Sequence, residues 1–375
     1  MQYRRFGKTN QWLSLFSLGT MRCLASPEVA TATVQRAIAL GINHLETAQG
    51  YGNSEVYLGK ALSQLGIDRR QIYITTKILP LQSGTAMAQA IETSLQRLGL
   101  DYIDNLAIHG LNTWDHLQWV TAESGWRQAV QQAVTAGKVR HVGFSTHAFL
   151  EVILAAIATD LFEFVNLHYT YFFQRNQAAI ALAQQKDMGV FIISPADKGG
   201  RLHTPPPQLE ALCAPYSPLE LTYRFLLSNG QITTLSVGAA NPAELEAIAP
   251  LVDQNGPLTE VEQAALNRIE QHQQQALGNH HCQQCYDCLP CPEAIHIPEV
   301  LRLRNLAIAH GMTAFGQYRY GMFEQAGHWF PGNKASRCTD CGDCLPRCPE
   351  QLPIPALLRD AHERLQGKPR RRLWG

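Results

Sequence analysis

Two cysteine runs near the C-terminus decide how that part of the chain folds. The first reads Cys282-Gln-Gln-Cys285-Tyr-Asp-Cys288-Leu-Pro-Cys291-Pro292, and the second reads Cys338-Thr-Asp-Cys341-Gly-Asp-Cys344-Leu-Pro-Arg-Cys348-Pro349. Three thiolates at every third residue can wrap one [4Fe–4S] cluster, while a fourth cysteine followed by proline usually reaches a second cluster. The spacing therefore predicts two clusters, one held by Cys282, Cys285, Cys288 and Cys348, and the other by Cys338, Cys341, Cys344 and Cys291.

Structural zinc is the alternative for these cysteines, because zinc sites also use paired Cys-x2-Cys motifs. Zinc takes four ligands per site and does not explain a third cysteine at the same period in both runs, or the Cys-Pro endings. We therefore favour iron–sulfur clusters. Cys291 follows Cys288 after two residues, whereas Cys348 follows Cys344 after three, so the cluster assignment of Cys291 is the less well defined.

The two runs belong to an internal repeat. Each continues as Cys-Pro-Glu and then Ile-Pro, with Pro298 and Pro355 at positions where a first helical turn accepts proline. Each half is thus predicted to be a cluster loop followed by a helix. Residues 301–310 look helical and end at Gly311, and the long spacer between the runs does not fit a compact two-hairpin ferredoxin. The module resembles the α-helical ferredoxin of succinate dehydrogenase iron–sulfur subunits.

Composition bounds the class of protein. The chain has 375 residues, 45% of them hydrophobic, and a formal net charge of zero, which argues against nucleic acid as a partner. Its apolar runs fall well short of the roughly 20 residues that cross a bilayer, and its N-terminus does not resemble a signal peptide. Cluster thiols need a reducing compartment, so we expect a cytoplasmic protein. The basic tail at 368–375 could dock an acidic electron carrier such as a soluble ferredoxin.

The N-terminal part alternates strand-like and helix-like segments. Eight β-rich runs separated by amphipathic helices predict an α/β fold of the (β/α)8 TIM-barrel type, with a doubly wound sheet as the alternative. The predicted strands are 15–19, 43–46, 72–77, 103–109, 139–145, 162–167, 190–194 and 234–238. The predicted domains are a barrel at 1–255, a linker helix at 256–276 and the iron–sulfur domain at 277–375.

The ends of these strands carry a family resemblance. Asn43-His-Leu-Glu-Thr-Ala-Gln-Gly-Tyr51-Gly-Asn-Ser-Glu55 is similar to the signature of the aldo/keto reductase family. Further motifs of that family are similar to Thr75-Thr-Lys77, Ala107-Ile-His109-Gly, Val142-Gly-Phe-Ser145-Thr-His, Val165-Asn-Leu-His-Tyr169 and Ser236-Val-Gly238. The resemblance covers residues 1–250, and one branch of the family carries a C-terminal two-cluster ferredoxin domain.

The resemblance implies an oxidoreductase that uses NADH or NADPH to reduce a small carbonyl substrate. Tyr51 would donate a proton to the developing alkoxide, Lys77 would lower the pKa of that tyrosine, and His109 would orient the carbonyl oxygen. Glu46 stands where the family has an aspartate that pairs with the lysine. Cofactor contacts would come from Ser145, Asn166, Tyr169, Lys198, Gly199, Arg201 and Gly238.

Two departures from the family pattern affect this interpretation. Glu46 is one methylene longer than aspartate, so carbonyl reduction is expected to be impaired or altered. NADP-dependent members place a basic residue after the last barrel strand, whereas this chain has no lysine or arginine between Arg224 and Arg268. Glu244 and Glu246 in that stretch would repel a 2′-phosphate.

Three functions remain open from the sequence. In the leading interpretation, barrel chemistry on a carbonyl or unsaturated compound is coupled to electron transfer through the clusters. In the second, the barrel has lost carbonyl reductase activity and the protein transfers electrons or serves as a docking platform. In the third, it is a carbonyl reductase with structural clusters. The sequence contains no flavin motif to convert a two-electron hydride into single electrons.

Overall fold

The structure is a computed structural model in which residues 1–367 are described. Its strands are β1 Tyr3–Arg5, β2 Trp12–Ser14, β3 Phe16–Gly19, β4 His44–Glu46, β5 Tyr73–Ile78, β6 Ile103–His109, β7 Val139–Ser145, β8 Phe164–Leu167, β9 Gly189–Ile192 and β10 Thr234–Val237.

Helices follow most of the strands and build the C-terminal part. They are α1 Pro27–Ala39, α2 Ser54–Leu65, α3 Gly84–Leu98, α4 Trp114–Thr121, α5 Trp126–Thr135, α6 Leu150–Ala158, α7 Gln177–Gln185, α8 Pro195–Lys198, α9 Pro207–Cys213, α10 Pro218–Leu227, α11 Glu260–Leu277, α12 Ile297–His310, α13 Thr313–Tyr320 and α14 Ile354–Leu365. Short 3₁₀ turns lie at Arg69–Gln71, Pro242–Leu251, Gly278–His280, Gly327–Trp329 and Ala335–Arg337.

Strands β3 to β10 form a closed parallel barrel in the order β10-β3-β4-β5-β6-β7-β8-β9. The predicted TIM barrel is confirmed, and the doubly wound alternative is wrong because β10 pairs with both β3 and β9. Each predicted strand coincides with an observed one to within two residues, with the largest differences at the start of β8 and the end of β9.

An N-terminal hairpin that the sequence analysis missed closes the bottom of the barrel. Strands β1 and β2 pair antiparallel. Phe6 and Leu13 are fully buried with Phe164 and Phe191. The fit is tight, since a Cβ added at Gly189 would lie 2.1 Å from the Phe6 ring. The amino ends of the strands are thereby sealed, and the opposite ends remain for chemistry.

Strand alternation places a polar layer inside the barrel. Successive side chains of a strand point to opposite faces, so residues 44 and 46 of β4 share the inward face. His44 Nδ1 lies 2.6 Å from Ser17 Oγ, and His44 Nε2 lies 2.7 Å from Thr75 Oγ1. Burial and the charge of Lys77 lower the pKa of His44 to about 3, so this imidazole is neutral. The next inward pair above this layer is Glu46 and Lys77.

The chain divides into two compact units. One comprises residues 1–199 and 222–257, and the other comprises residues 200–221 together with the described residues 258–367. Residues 200–221, which we predicted to belong to the barrel domain, pack in the second unit, where Arg268 Nε donates a hydrogen bond to Leu212 O at 2.8 Å. Helix α11, which we predicted to be a linker, also belongs to that unit. The boundaries at 255 and 276 remain domain predictions.

The second unit is helical and repeats one pattern. Helix α11 begins with a capping box, in which Thr259 Oγ1 accepts from the Glu262 N–H and Glu262 accepts from the Thr259 N–H. Helices α12 and α14 both begin with Ile-Pro, as predicted, and α12 ends before a left-handed Gly311. Arg304 Nε donates to Asp360 Oδ2 at 2.6 Å, which joins the two repeats.

Helices in the described part of the chain lack the combination of length and apolar sequence needed to cross a bilayer. The basic tail at 368–375, which we predicted to dock an electron carrier, lies outside the described residues.

Candidate active site and cluster ligands

A buried ion pair occupies the open end of the barrel. Glu46 ends β4 and Lys77 lies near the end of β5, and the parallel register places both side chains on the inward face. The Lys77 ammonium contacts the Glu46 carboxylate, with the two side chains 1% and 5% exposed. Lys77 Nζ also donates to Thr47 O at 2.9 Å. The longer glutamate therefore does reach the lysine in this chain.

Tyr51 and His109 lie beside this ion pair. Lys77 Nζ is 4.6 Å from the centroid of the Tyr51 ring, over its face. The rings of Tyr51 and His109 meet edge to face, with their centroids 5.4 Å apart. Both aromatic side chains are partly exposed. The structure thus brings the four predicted catalytic residues together with a reachable phenol and imidazole.

The pKa of Tyr51 differs from our expectation. We predicted that Lys77 lowers it, but burial raises the pKa of this phenol above its ordinary value. Burial also lowers the pKa of Lys77 well below its ordinary value, and the charge of Lys198 adds to that shift. The Glu46 carboxylate opposes the shift by favouring the charged ammonium. Because burial raises its pKa, Tyr51 keeps its proton at neutral pH, as a proton donor must.

His109 is neutral in this environment. Burial, followed by the charges of Lys77 and Lys198, lowers its pKa to about 3. A neutral imidazole carries one N–H and can donate one hydrogen bond while its other ring nitrogen accepts. His109 is suited to orienting a carbonyl oxygen and is not suited to supplying the proton.

The loop that carries Tyr51 is tied to the strands by buried polar groups. Gln49 N donates to Lys77 O at 3.0 Å, and Tyr51 N donates to Ala48 O at 3.0 Å. Thr76 Oγ1 donates to the buried Glu55 Oε1 at 2.7 Å, which anchors the start of α2 on β5. Glu55, the last residue of the family-like signature, has this anchoring role here.

Among the predicted cofactor residues, Asn166 has a side-chain amide that makes no hydrogen bond with the described residues. Its side chain is fully buried at the end of β8, and neither Nδ2 nor Oδ1 has a hydrogen-bond partner among the described residues. Ser145, which is also buried, pairs with it in register on β7. Tyr169 is buried with its ring stacked on Phe225 at 6.0 Å. A buried amide without partners is costly unless a ligand pairs with it.

The predicted phosphate loop is divided between the two units. Lys198 ends the short helix α8 and its Nζ lies 3.4 Å from His168 Nε2. Gly199 has no room for a side chain, since a Cβ would lie 2.2 Å from Pro195 O. Arg201 belongs to the second unit, where its guanidinium lies 4.0 Å over the Tyr318 ring.

The charge pattern after β10 differs from the sequence argument. Arg22 donates to Gly238 O at 2.8 Å and forms a two-point ion pair with Glu244 at 2.6 and 3.0 Å. Glu246 is paired with Arg36. Both carboxylates that we expected to repel a phosphate are therefore paired with arginines of the first βα segment. The sequence did not indicate these ion pairs, because the partners lie far apart along the chain.

The cysteines of the second unit gather in two mixed groups. Burial raises the pKa of Cys282 to about 11, and the nearby thiols of Cys285 and Cys348 add to the shift. Burial raises the pKa of Cys344, with contributions from nearby Cys338, Cys341 and Cys291. Each group combines one run with the fourth cysteine of the other. Cys288, whose pKa rises to about 12 through burial, neighbours Cys282, Cys285 and Cys344.

No single-ion metal site is found among the described residues. Among residues 1–367, no three His, Cys, Asp or Glu side chains are close enough to share one metal ion. Cys285 and Cys341 are exposed, and the remaining six are buried or partly buried.

Comparison with protein families identifies the barrel. Residues 16–271 match the model of the aldo/keto reductase family. The chain belongs to the aldo/keto reductase family. Residues 281–352 match the model of the 4Fe-4S dicluster domain, which contains all eight cysteines of the two groups.

Curated relatives of this aldo/keto reductase align over part of the chain. It is 28% identical over 198 residues to morphine 6-dehydrogenase of Pseudomonas putida, covering 52% of this chain and 63% of that protein. It is 33% identical over 148 residues to methylglyoxal reductase DkgB of Salmonella typhi, covering 39% of this chain and 53% of that protein. The chain thus spans somewhat more than half the length of these relatives.

A solved aldo/keto reductase shares the fold. The holo form of aldo-keto reductase AKR11C1 from Bacillus halodurans superposes with a TM-score of 0.62 at 23% identity, covering 72% of this chain and 96% of that one. At this identity the likeness concerns the fold.

Three residues at the mouth of this aldo/keto reductase were missed by sequence reasoning. Arg22 lies in the turn after β3, and only the closed barrel brings it beside Gly238. His147 and His168 lie within two of the quoted motifs, two residues after Ser145 and Asn166, and their side chains meet at 3.1 Å. Because both histidines stand two residues after a predicted cofactor residue, the sequence alone could have predicted that they lie together at the mouth of the barrel.

The ion pair makes a testable prediction about pH dependence. Glu46→Gln removes the charge that favours the Lys77 ammonium, so the alkaline limb of the kcat profile for carbonyl reduction should move to lower pH by about one unit or more. Glu46→Asp keeps the charge and should move the limb less. Glu92→Gln, at an exposed partner of Lys138, is the matched control. A limb that stays in place or moves to higher pH in Glu46→Gln would contradict this role.

Proposed function

We propose that this aldo/keto reductase is an oxidoreductase that reduces a small carbonyl or related unsaturated compound with a nicotinamide, coupled to electron transfer through two [4Fe–4S] clusters. The observation that carries the proposal is the buried Lys77–Glu46 pair with Tyr51 and His109 against it at the open end of the barrel. A barrel that had lost its chemistry would have no need to keep an ion pair buried there, since burying two charges is costly.

The four residues have distinct roles in the proposed reduction. Tyr51 donates its phenolic proton to the substrate oxygen as the carbonyl carbon accepts hydride. The Lys77 ammonium stabilises the phenolate that remains, and Glu46 holds that ammonium in place. His109, as a neutral imidazole, donates a hydrogen bond that orients the carbonyl oxygen.

The residues at the mouth suit a nicotinamide. When bound, this cofactor supplies the hydride. The unpartnered amide of Asn166 offers both a donor and an acceptor to a carboxamide, with Ser145 next to it on β7. Tyr169 would pack against the ring, and Lys198 and Gly199 would meet a phosphate. Gly238 is a further proposed contact on the barrel, whereas Arg201, which lies in the second unit, stays a sequence prediction.

We infer that the nucleotide is NADH. Arg22 is the cation beside Gly238, and Glu244 already binds both of its terminal nitrogens. A 2′-phosphate at this place would have to displace Glu244, whereas a ribose hydroxyl would not. Acidic side chains that occupy a cation in this way lower the affinity for an additional phosphate.

The donor sets of the second unit suit two [4Fe–4S] clusters. Each observed group provides thiols from both cysteine runs, which is the sharing that two-cluster ferredoxins use. We propose Cys282, Cys285, Cys288 and Cys348 as one ligand set, and Cys338, Cys341, Cys344 and Cys291 as the other. Clusters of this kind supply one electron at a time, so a soluble carrier such as ferredoxin is a suitable partner. A reducing cytoplasm would keep these thiols available.

The names of the relatives support carbonyl chemistry as a starting point. One relative is called a methylglyoxal reductase and the other a dehydrogenase. Methylglyoxal is therefore a reasonable first substrate for this chain.

The proposed function predicts a specific loss on removal of the phenol. Tyr51→Phe should reduce kcat for methylglyoxal reduction by about 100-fold or more, because a positioned general acid contributes about 10²–10⁴ in rate. The measurement is anaerobic NADH oxidation by protein that retains its brown cluster absorbance. Tyr57→Phe on α2 is the matched control. Undiminished turnover in Tyr51→Phe would refute the assigned proton donor, and absence of carbonyl reduction by the native protein would refute the function.

The nucleotide preference gives a separate prediction. Glu244→Gln frees Arg22, so the ratio of the NADPH dissociation constant to that of NADH should fall by about 10-fold, as expected for one charge-assisted hydrogen bond. Binding is measured by protein fluorescence without any substrate. Glu92→Gln again serves as the control. If native protein binds NADPH more tightly than NADH, or if Glu244→Gln leaves the ratio unchanged, Arg22 and Glu244 do not set the preference.

A further inference from the structure

Three nitrogen-bearing side chains converge at the mouth of the barrel outside the four proposed catalytic residues. His147 follows β7, His168 follows β8 and Lys198 ends α8. His168 Nε2 lies 3.1 Å from His147 Nδ1 and 3.4 Å from Lys198 Nζ. All three side chains are partly exposed, so a bound molecule can reach them.

The backbone holds both histidines in fixed positions. The His147 N–H donates to Asn112 Oδ1 at 2.7 Å, and the buried Asn176 donates from Nδ2 to His168 O at 2.9 Å. Both asparagines are at least 94% buried. A group recognised by these histidines would therefore meet a site that needs little reorganisation, which reduces the cost of binding.

The cluster lies close to the reacting groups. The charge of Lys198 contributes to the lowered pKa of His109, after burial and Lys77, and to that of Lys77, after burial. Glu46 is already paired with Lys77, so Lys198 adds a positive charge to a site whose carboxylate is occupied. A negatively charged group placed here would be stabilised by both charge and hydrogen bonds.

We propose that His147, His168 and Lys198 bind the carboxylate of the carbonyl substrate, so that the substrate is an oxo acid or a semialdehyde acid. This inference rests on the proposed carbonyl reduction. Lys198 supplies a charged donor and the imidazoles supply N–H donors, while Tyr51 and His109 address the carbonyl oxygen of the same molecule. The carboxylate is bound and is not altered in the reaction.

In this inference the carboxylate contact replaces the phosphate contact that was proposed above for Lys198, and one experiment separates the two roles. The probes are 4-oxobutanoate and its neutral methyl ester, together with glyoxylate and methyl glyoxylate, which differ in charge at two chain lengths. The kcat/KM of each is measured anaerobically with NADH for native protein, Lys198→Met and His168→Gln. Lys186→Met is the control, since Lys186 forms a surface ion pair with Asp160.

Native protein should favour at least one acid over its ester by about 10-fold or more, through KM, as one charge-assisted contact would allow. Lys198→Met should remove most of this preference, His168→Gln should weaken it, and Lys186→Met should keep it. An acid-to-ester ratio near one in native protein overturns the proposal. So does a Lys198→Met variant that weakens NADH binding while keeping the ratio, which would place Lys198 on the cofactor phosphate.

A binding measurement distinguishes failure of this inference from failure of the proposed function. Succinate, which cannot be reduced as a carbonyl, is titrated calorimetrically into native protein and the variants in the presence of NADH. If methylglyoxal is reduced but succinate does not bind, the function stands and the carboxylate site is refuted. If carbonyls are not reduced but succinate binds and Lys198→Met weakens its binding about 10-fold or more, the anion site stands without the reductase function. If Lys198→Met does not fold, the same comparison of succinate binding is made with His168→Gln, and weaker binding by that variant supports the anion site.

Discussion

The Lys77–Glu46 ion pair is the constraint on which the mouth of the barrel depends. A buried ammonium is tolerated only with a partner and further hydrogen bonds, which Glu46 and Thr47 provide. Because the lysine is held in this way, its nitrogen stands over the face of Tyr51, and its charge reaches His109. The pair thus places a cation over the phenol, and its lysine adds to the burial that keeps His109 neutral.

The barrel was predictable from the sequence because its signals are local. Eight β-rich runs that alternate with helix-like segments predicted β3 to β10. In the second unit, Pro298 and Pro355 marked the starts of two helices and Gly311 marked the end of one. The N-terminal hairpin was missed because three-residue strands leave no periodic pattern, and only their contact with Phe164 and Phe191 stabilises them. The grouping of residues 200–221 with the second unit likewise depends on contacts distant in sequence.

Prediction of the site failed where charge partners are far apart along the chain. We expected Glu244 and Glu246 to repel a 2′-phosphate, because their partners Arg22 and Arg36 lie more than 200 residues earlier. We expected Lys77 to lower the pKa of Tyr51, yet burial raises it. Residue identities at strand ends could be predicted, whereas the balance of burial and charge at those residues required the three-dimensional packing.

The proposed barrel chemistry moves electrons in pairs, whereas the clusters move them singly. The central claim is that electrons nevertheless pass between NADH and the clusters. The most direct test of the central claim is an anaerobic titration of the protein with NADH, with and without methylglyoxal, in which the cluster absorbance is measured. The account predicts that NADH bleaches the clusters in at least one of these conditions. Clusters that dithionite reduces but NADH leaves unchanged in both would contradict a shared electron path.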